Sequence, residues 1–99
     1  MPAYLIANIE VTDPEGFERY RAAVPAVIAA HGGRYIVRGG AVEPKEGAMP
    51  LKRLVILEFP DMAAARGFYD APDYAPLLKL RLDSTRSDVV LVEGYAAPA

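Results

Sequence analysis

From Ala3 to Val11 the residues alternate as in a strand: Ala3, Leu5, Ala7, Ile9 and Val11 point one way, and Tyr4, Ile6, Asn8 and Glu10 the other. Both sides are mostly apolar. A helix start follows at once, with Asp13 as N-cap, Pro14 at the first helical position and Glu15 in the first turn. Phe17, Tyr20, Val24, Val27, Ile28 and His31 then recur at helical spacing and predict one buried stripe. Pro25 removes a donor and crowds the carbonyl of Arg21, which predicts a kink, and Gly32-Gly33 supplies a left-handed stop.

A second strand is predicted from Arg34 to Val37 or Arg38, followed by an irregular, glycine- and proline-rich connection from Gly39 to Lys52. The third strand, Arg53 to Phe59, is the most apolar. Pro60-Asp61 caps a second helix through Asp70, whose inner face carries Met62, Ala65, Phe68 and Tyr69. Ala71-Pro72-Asp73 breaks it, and a further turn or two runs from Tyr74 to about Leu82. The fourth strand is placed from Asp88 to about Tyr95, with fraying expected from Ala96 to Ala99.

The order is β-α-β-β-α-β. Shifting the chain by 48 residues sets Glu10 on Glu58, Val11 on Phe59, Asp13 on Asp61 and Tyr20 on Phe68, a weak internal repeat. Two right-handed β-α-β halves in one antiparallel sheet predict an α+β, ferredoxin-like fold with four strands and helices on one face. The other face then carries Tyr4, Ile6, either Leu54 or Val55, and two residues of Val89 to Val92. That is too much apolar surface for open water. A second copy packed sheet against sheet removes it, so a homodimer is expected.

Composition narrows the class. The chain has 99 residues, enough for one domain, 1–99, and not for two. It has no cysteine, which excludes disulfides, thiolate metal sites and thiol catalysis. Eleven basic and thirteen acidic side chains give a net charge of −2, with no basic run, so no nucleic-acid partner is expected. The apolar stretches fall short of a bilayer span, and the first residues lack the marks of a signal peptide. No membrane partner and a cytoplasmic location are the expectations.

The stretches EVTDPEGFERY, AAHGGRYIVRGG, LVILEFPDMAAARGFYDAPDY and SDVVLVEG resemble domain-of-unknown-function family 1330. That family belongs to the dimeric α+β barrel group, whose ferredoxin-like subunits pair through their sheets. The resemblance runs from about Pro2 to Gly94 and implies the fold and the dimer, but no activity. Related barrel families include cofactor-independent monooxygenases, lactone isomerases and haem enzymes, with the site in a cleft between sheet and helices. That analogy holds at the level of fold alone.

Candidate chemistry rests on carboxylates, arginines, tyrosines and one histidine. His31 is the only side chain that titrates near neutrality without help. It reads as a helix C-terminal cap at about two to one over a general base at a cleft mouth. Arg34, Ile36 and Arg38 are expected on one strand face, and Leu54, Ile56 and Glu58 on a face of the hairpin partner. Arg38 and Glu58 read either as a bidentate salt bridge or as an arginine for a carboxylate or enolate beside a proton-moving glutamate. Asn8 is a polar position on an apolar strand. Tyr69, Tyr74, Arg81 and Asp88 form a further binding group, with both tyrosines flanking the Pro72 break; most such tyrosines bury a ring and expose a hydroxyl. His31, Glu58 and Tyr69 are therefore the candidate catalytic residues, and Arg38, Asn8, Tyr74, Arg81 and Asp88 the candidate binding residues.

No metal-ligand spacing and no phosphate loop is present, so no cofactor is expected. The first functional reading is a homodimeric protein that binds a small organic molecule, with cofactor-independent catalysis open. Its alternative is a non-catalytic dimerisation or interaction module in which the same charges satisfy one another. A distant third is tautomerase-like use of Pro2 as an N-terminal amine base after removal of Met1.

Overall fold

The computed structural model describes residues 1–96, so the expected fraying at positions 97–99 lies outside the described residues. The elements are β1 (Ala3–Val11), α1 (Pro14–Ala30), β2 (Arg34–Arg38), β3 (Leu54–Phe59), α2 (Met62–Tyr69), α3 (Ala75–Ser84) and β4 (Thr85–Glu93). The strands form one sheet in the order β2-β3-β1-β4, with every neighbouring pair antiparallel. This is the ferredoxin-like α+β arrangement, its second crossover split into α2 and α3.

Alternation along the two central strands builds the core. Ala3, Leu5, Ala7 and Ile9 of β1 and Val55, Leu57 and Phe59 of β3 are buried against the helices. From the other side Phe17, Val24 and Ile28 of α1 meet Ala65 and Phe68 of α2, and Tyr74 closes the layer. Apolar burial of this kind stabilises at about 25 cal/mol per Å², and it is the main force holding the layers together.

Helix ends follow local chemistry. The Asp61 carboxylate accepts from the Ala64 amide at 2.8 Å and caps α2. Asp13 occupies the N-cap position of α1, but its side chain does not cap; the Thr12 and Asp13 amides donate instead to the Ser84 carbonyl at 2.8 and 3.0 Å. That contact ties the start of α1 to the end of α3. α1 runs as a single helix through Pro25. Gly32, with φ +79°, ends it, and the Gly33 amide returns to the Ile28 carbonyl at 2.9 Å. Gly33 is needed for a second reason: a Cβ there would lie 2.5 Å from the Phe59 ring.

Two placements differ from the sequence reading, and one choice it left open is resolved. β4 begins at Thr85, three residues before Asp88, and ends at Glu93 rather than Tyr95. The polar run Ser84-Thr85 makes no loop because its hydroxyls close the helix: Ser84 Oγ donates to the Leu80 carbonyl and Thr85 Oγ1 to that of Arg81, each at 2.7 Å. The choice between Leu54 and Val55 for the open face resolves to Leu54, with Val55 in the core. Lastly, β2 is irregular. Tyr35 pairs with Leu57, but Val37 pairs with Ile56 and Arg38 with Val55, so an extra residue is accommodated at Ile36. One inserted residue reverses the facing of all that follow. Arg34 and Arg38 therefore stand on opposite faces of the sheet, not on one.

The uncovered face carries Tyr4, Ile6, Leu54, Ile56, Val90 and Val92, brought side by side by the pairings Tyr4 with Val92 and Ile6 with both Val90 and Ile56. Val90 and Val92 are 56% and 42% exposed. The connection between β2 and β3 is anchored on this side through Asn8, which donates to the Pro50 carbonyl at 3.0 Å and accepts from the Lys52 amide at 2.9 Å.

The two faces differ in what they tolerate. Phe59→Asp leaves an unpaired charge between sheet and helices and is expected to cost at least about 3 kcal/mol in urea unfolding, or to prevent folding. Leu54→Asp, on the open face of the same strand, is expected to leave the far-ultraviolet circular dichroism intact.

Candidate functional site

A cavity of about 40 Å³ lies between the inner face of the sheet and the helices. Its floor is apolar, made by Leu5, Ala7, Val55 and Leu57. Its walls carry four arginines (Arg21, Arg38, Arg53, Arg81) and four tyrosines (Tyr20, Tyr35, Tyr69, Tyr74), and among the described residues no Asp, Glu or His lines it. Forty cubic ångströms hold a few waters at roughly 10–15 Å³ each, so a larger guest must displace side chains at the rim.

Arg81 is the innermost cation. It lies on α3, is 3% exposed, and makes no salt bridge among the described residues. Its Nε donates to the Tyr74 hydroxyl at 3.4 Å and its Nη2 to the Tyr69 hydroxyl at 3.3 Å, both long bonds. Burial works against its charge and the bonded Tyr74 hydroxyl works for it; the net displacement is upward, so it stays a guanidinium cation. Holding such a cation without a carboxylate costs on the order of several kcal/mol. Its carbonyl, gripped by Thr85 Oγ1, fixes where the side chain starts.

The tyrosines come from α1, β2, α2 and the turn between α2 and α3. Tyr74 sits in the break between α2 and α3, where Pro72 stops one helix and the Tyr74 amide turns back to the Ala71 carbonyl at 3.0 Å. Its ring packs 4.4 Å from that of Phe68, and its hydroxyl lies 2.8 Å from that of Tyr20 on α1. Burial, together with Tyr74, holds the Tyr20 hydroxyl far above its ordinary pKa of 10.0, so it is a neutral hydrogen-bonding group. Tyr35 on β2 is also raised, again by burial first, with Arg38 opposing.

The remaining arginines sit toward the rim. The bulge in β2 turns Arg38 inward, where its guanidinium lies 4.5 Å from the centre of the Tyr35 ring and donates to the Arg21 carbonyl at 3.4 Å. Arg53, just before β3, lies 5.5 Å from the centre of the Phe17 ring, and its Nε is buried without a hydrogen-bond partner. Beside it Gly39, at φ +68°, presents no Cβ. Arg21 meets only Glu18, at 3.6 Å and exposed.

Of the residues singled out from sequence, Arg38, Tyr69, Tyr74 and Arg81 meet at this cavity. Glu58 does not. It lies on the opposite face, where Arg34 Nε and Nη2 donate to its Oε1 at 2.9 and 2.7 Å, so the expected Arg38–Glu58 pair is replaced by Arg34–Glu58. The register is the reason: Arg34 stands directly opposite Glu58, and Arg38, four residues on, pairs with Val55. His31 is the C-cap of α1, and its Nε2 lies 3.0 Å from Asp73 Oδ1 with its ring edge-on to Phe68, outside the cavity lining. Asn8 holds the long connection, and Asp88, opposite Asn8 on β4, belongs to the open face. Pro2 accepts from the Gly94 amide at 2.7 Å and is not in the lining.

Sequence reasoning passed over Arg53, Arg21, Tyr20 and Tyr35 as cavity residues. Tyr20 reads as an ordinary member of the apolar stripe. Only Arg53, a charge at the head of the apolar run Leu54–Phe59, carried a local signal. Among the described residues no cluster of three or more His, Cys, Asp or Glu could hold a metal, and no helix is long and apolar enough to cross a membrane.

Fold and cavity together define a ferredoxin-like α+β protein with an arginine- and tyrosine-lined cleft between sheet and helices. The chain belongs to the family described as Domain of unknown function (DUF1330), whose model matches residues 2–95. Its fold is similar to that of a protein of unknown function from Rhodopseudomonas palustris, at 16% identity and a TM-score of 0.74, over 97% of this chain and 84% of that one. It is similar also to SnoaB, a cofactor-independent oxygenase from Streptomyces nogalater, at 16% identity and a TM-score of 0.66, over 97% and 95% of the two chains. A dimeric ferredoxin-like protein of unknown function from Jannaschia sp. CCS1 aligns at 18% identity and a TM-score of 0.64, over 95% and 100%. Among curated proteins, none matches the sequence.

The raised Tyr20 fixes a sign for alkaline stability. Below pH 10 the hydroxyl is neutral in both folded and unfolded chains, and its contribution is fully present. Above pH 10 the unfolded chain ionises first, so stability is lost as pH rises. Urea unfolding at pH 8 and pH 11 is expected to show wild type losing up to about 1.4 kcal/mol per pH unit more than Tyr20→Phe.

Proposed function

We propose that this protein is a homodimer that binds a small organic acid, its anionic group on Arg81 and its apolar body on the floor of the cavity. The observation that carries this reading is a guanidinium 3% exposed and held by two phenols, with no carboxylate beside it. A cation kept so has the cost of desolvation and lacks the partner that would offset it; an anionic guest supplies that partner. Tyr69 and Tyr74 strengthen the case. Each accepts from Arg81, so the Tyr69 proton is free for a ligand oxygen, and the Tyr74 proton is too when Tyr20 donates to Tyr74. A pure interaction module would have filled this interior or paired its charges.

The dimer reading rests on the open face. Tyr4, Ile6, Leu54, Ile56, Val90 and Val92 form one apolar surface, and a second copy placed sheet to sheet buries it in a two-fold interface. The protein from Jannaschia, which shares the fold, is described as dimeric.

Two experiments test the two halves. Calorimetry and thermal melting with simple carboxylates (hexanoate, phenylacetate) are expected to show binding and a raised Tm, which the corresponding amides do not give. At a hundredfold excess over Kd the stabilisation is about 2.7 kcal/mol. Arg81→Met is expected to abolish the response; equal response to acids and amides, or survival in Arg81→Met, overturns the anion reading. Light scattering at micromolar concentration is expected to give twice the subunit mass for wild type and a folded monomer for Val90→Lys. A folded wild-type monomer overturns the dimer.

A further inference from the structure

We infer that the ligand carries two acidic groups, one taken by Arg81 and the second by Arg38 and Arg53 at the rim. This rests on the anion-binding reading of the same cavity and goes beyond it by naming a diacid. One anion would account for Arg81 alone. It leaves unexplained why Arg38 and Arg53 line the same cavity with no carboxylate partner, Arg21 alone meeting one in Glu18.

These cations fall into two separate groups. Arg81 keeps company with Tyr69 and Tyr74 on α2 and α3, close to where α3 passes directly into β4. Arg38 lies on β2 and Arg53 just ahead of β3, one over Tyr35 and the other over Phe17. Arg38 thus stands on the edge strand β2, and Arg53 beside the inner strand β1, whose Ile9 amide donates to the Arg53 carbonyl at 2.9 Å. Both groups border the same apolar floor of Leu5, Ala7, Val55 and Leu57. Two sets of cations around one apolar floor match an apolar chain or ring that carries two acids.

The rim group also has features that pairing within the protein does not explain. Arg53 Nε is buried with no partner. Gly39, whose φ of +68° favours glycine, places no Cβ beside the Arg53 guanidinium. The bulge in β2 turns Arg38 from the open face, where Glu58 stands, to the cavity, where no carboxylate meets it. A regular strand would have placed Arg38 on the Glu58 side. Stacking on Tyr35 leaves the edges of the Arg38 guanidinium free to donate to a carboxylate.

Isothermal titration calorimetry on the intact protein tests this with matched pairs: pentanoate and glutarate, hexanoate and adipate, octanoate and suberate, phenylacetate and 1,4-phenylenediacetate. At least one diacid is expected to bind about tenfold or more tighter than its monoacid, the size of one added charge-assisted contact. In Arg38→Gln, an exposed position where folding is not at stake, that ratio is expected to fall to within about twofold. Arg53→Gln, checked for an unchanged melting curve, is expected to lower it as well. Monoacids that bind with no diacid preferred in any pair overturn the diacid inference and leave the anion reading standing. A preference that survives in both rim variants also overturns it. If neither monoacids nor diacids bind, the anion reading itself fails, and this inference with it.

Discussion

Three helices can cover one face of a four-stranded sheet and not both, and the role of nearly every residue here follows from the side on which it falls. Inward residues of β1 and β3 build the core with Phe17, Val24, Ile28 and Phe68. Outward residues of the same strands make an apolar surface that the chain itself does not cover. Facing in a strand alternates with a period of two, so one inserted residue is enough to move a side chain between these two worlds. The bulge at Ile36 does this to Arg38, and with it the chemistry of the inner face changes.

The inner face is unusual in its balance of charge. Eleven basic and thirteen acidic groups leave the whole chain close to neutral, yet the cavity takes four of the arginines and none of the carboxylates. The acids are spent elsewhere. Glu58 binds Arg34 on the outer face, Asp61 caps a helix and Asp73 meets His31 at the break before α3. Inside, Arg81, Arg38 and Arg53 are supported by phenol hydroxyls and aromatic faces, and Arg21 alone meets a carboxylate, that of Glu18. Such supports orient a guanidinium without neutralising it, which is what a binding site for an anion requires.

Much of the fold was legible along the chain. The β-α-β-β-α-β order, the Asp61 cap, the Gly32-Gly33 stop and the inner faces of α1 and α2 each rest on local chemistry or on a periodicity, and they stand where those signals put them. The start of β4 was misread because Ser84, Thr85, Arg86, Ser87 and Asp88 look like a loop; their hydroxyls instead satisfy the last carbonyls of α3. Within the site, Tyr69, Tyr74 and Arg81 could be grouped because they flank the Pro72 break within a dozen residues of one another. Arg53 and Tyr35 could not, since nothing local says that a strand head and an edge strand will look into the same space as α3.

The sequence by itself determined the element order, the antiparallel ferredoxin-like sheet and the surplus of apolar surface on its far side. These depend on alternation, caps and glycine stops, which act over a few residues. Only the tertiary structure decided which arginine meets Glu58, which arginines enter the cavity, and that the single histidine is paired with Asp73 outside it. Those outcomes hang on a one-residue register shift in an edge strand and on contacts between residues dozens of positions apart. Alternation fixes that successive side chains face opposite ways; it does not say where a strand will slip, and here the slip selects which cation the cavity receives.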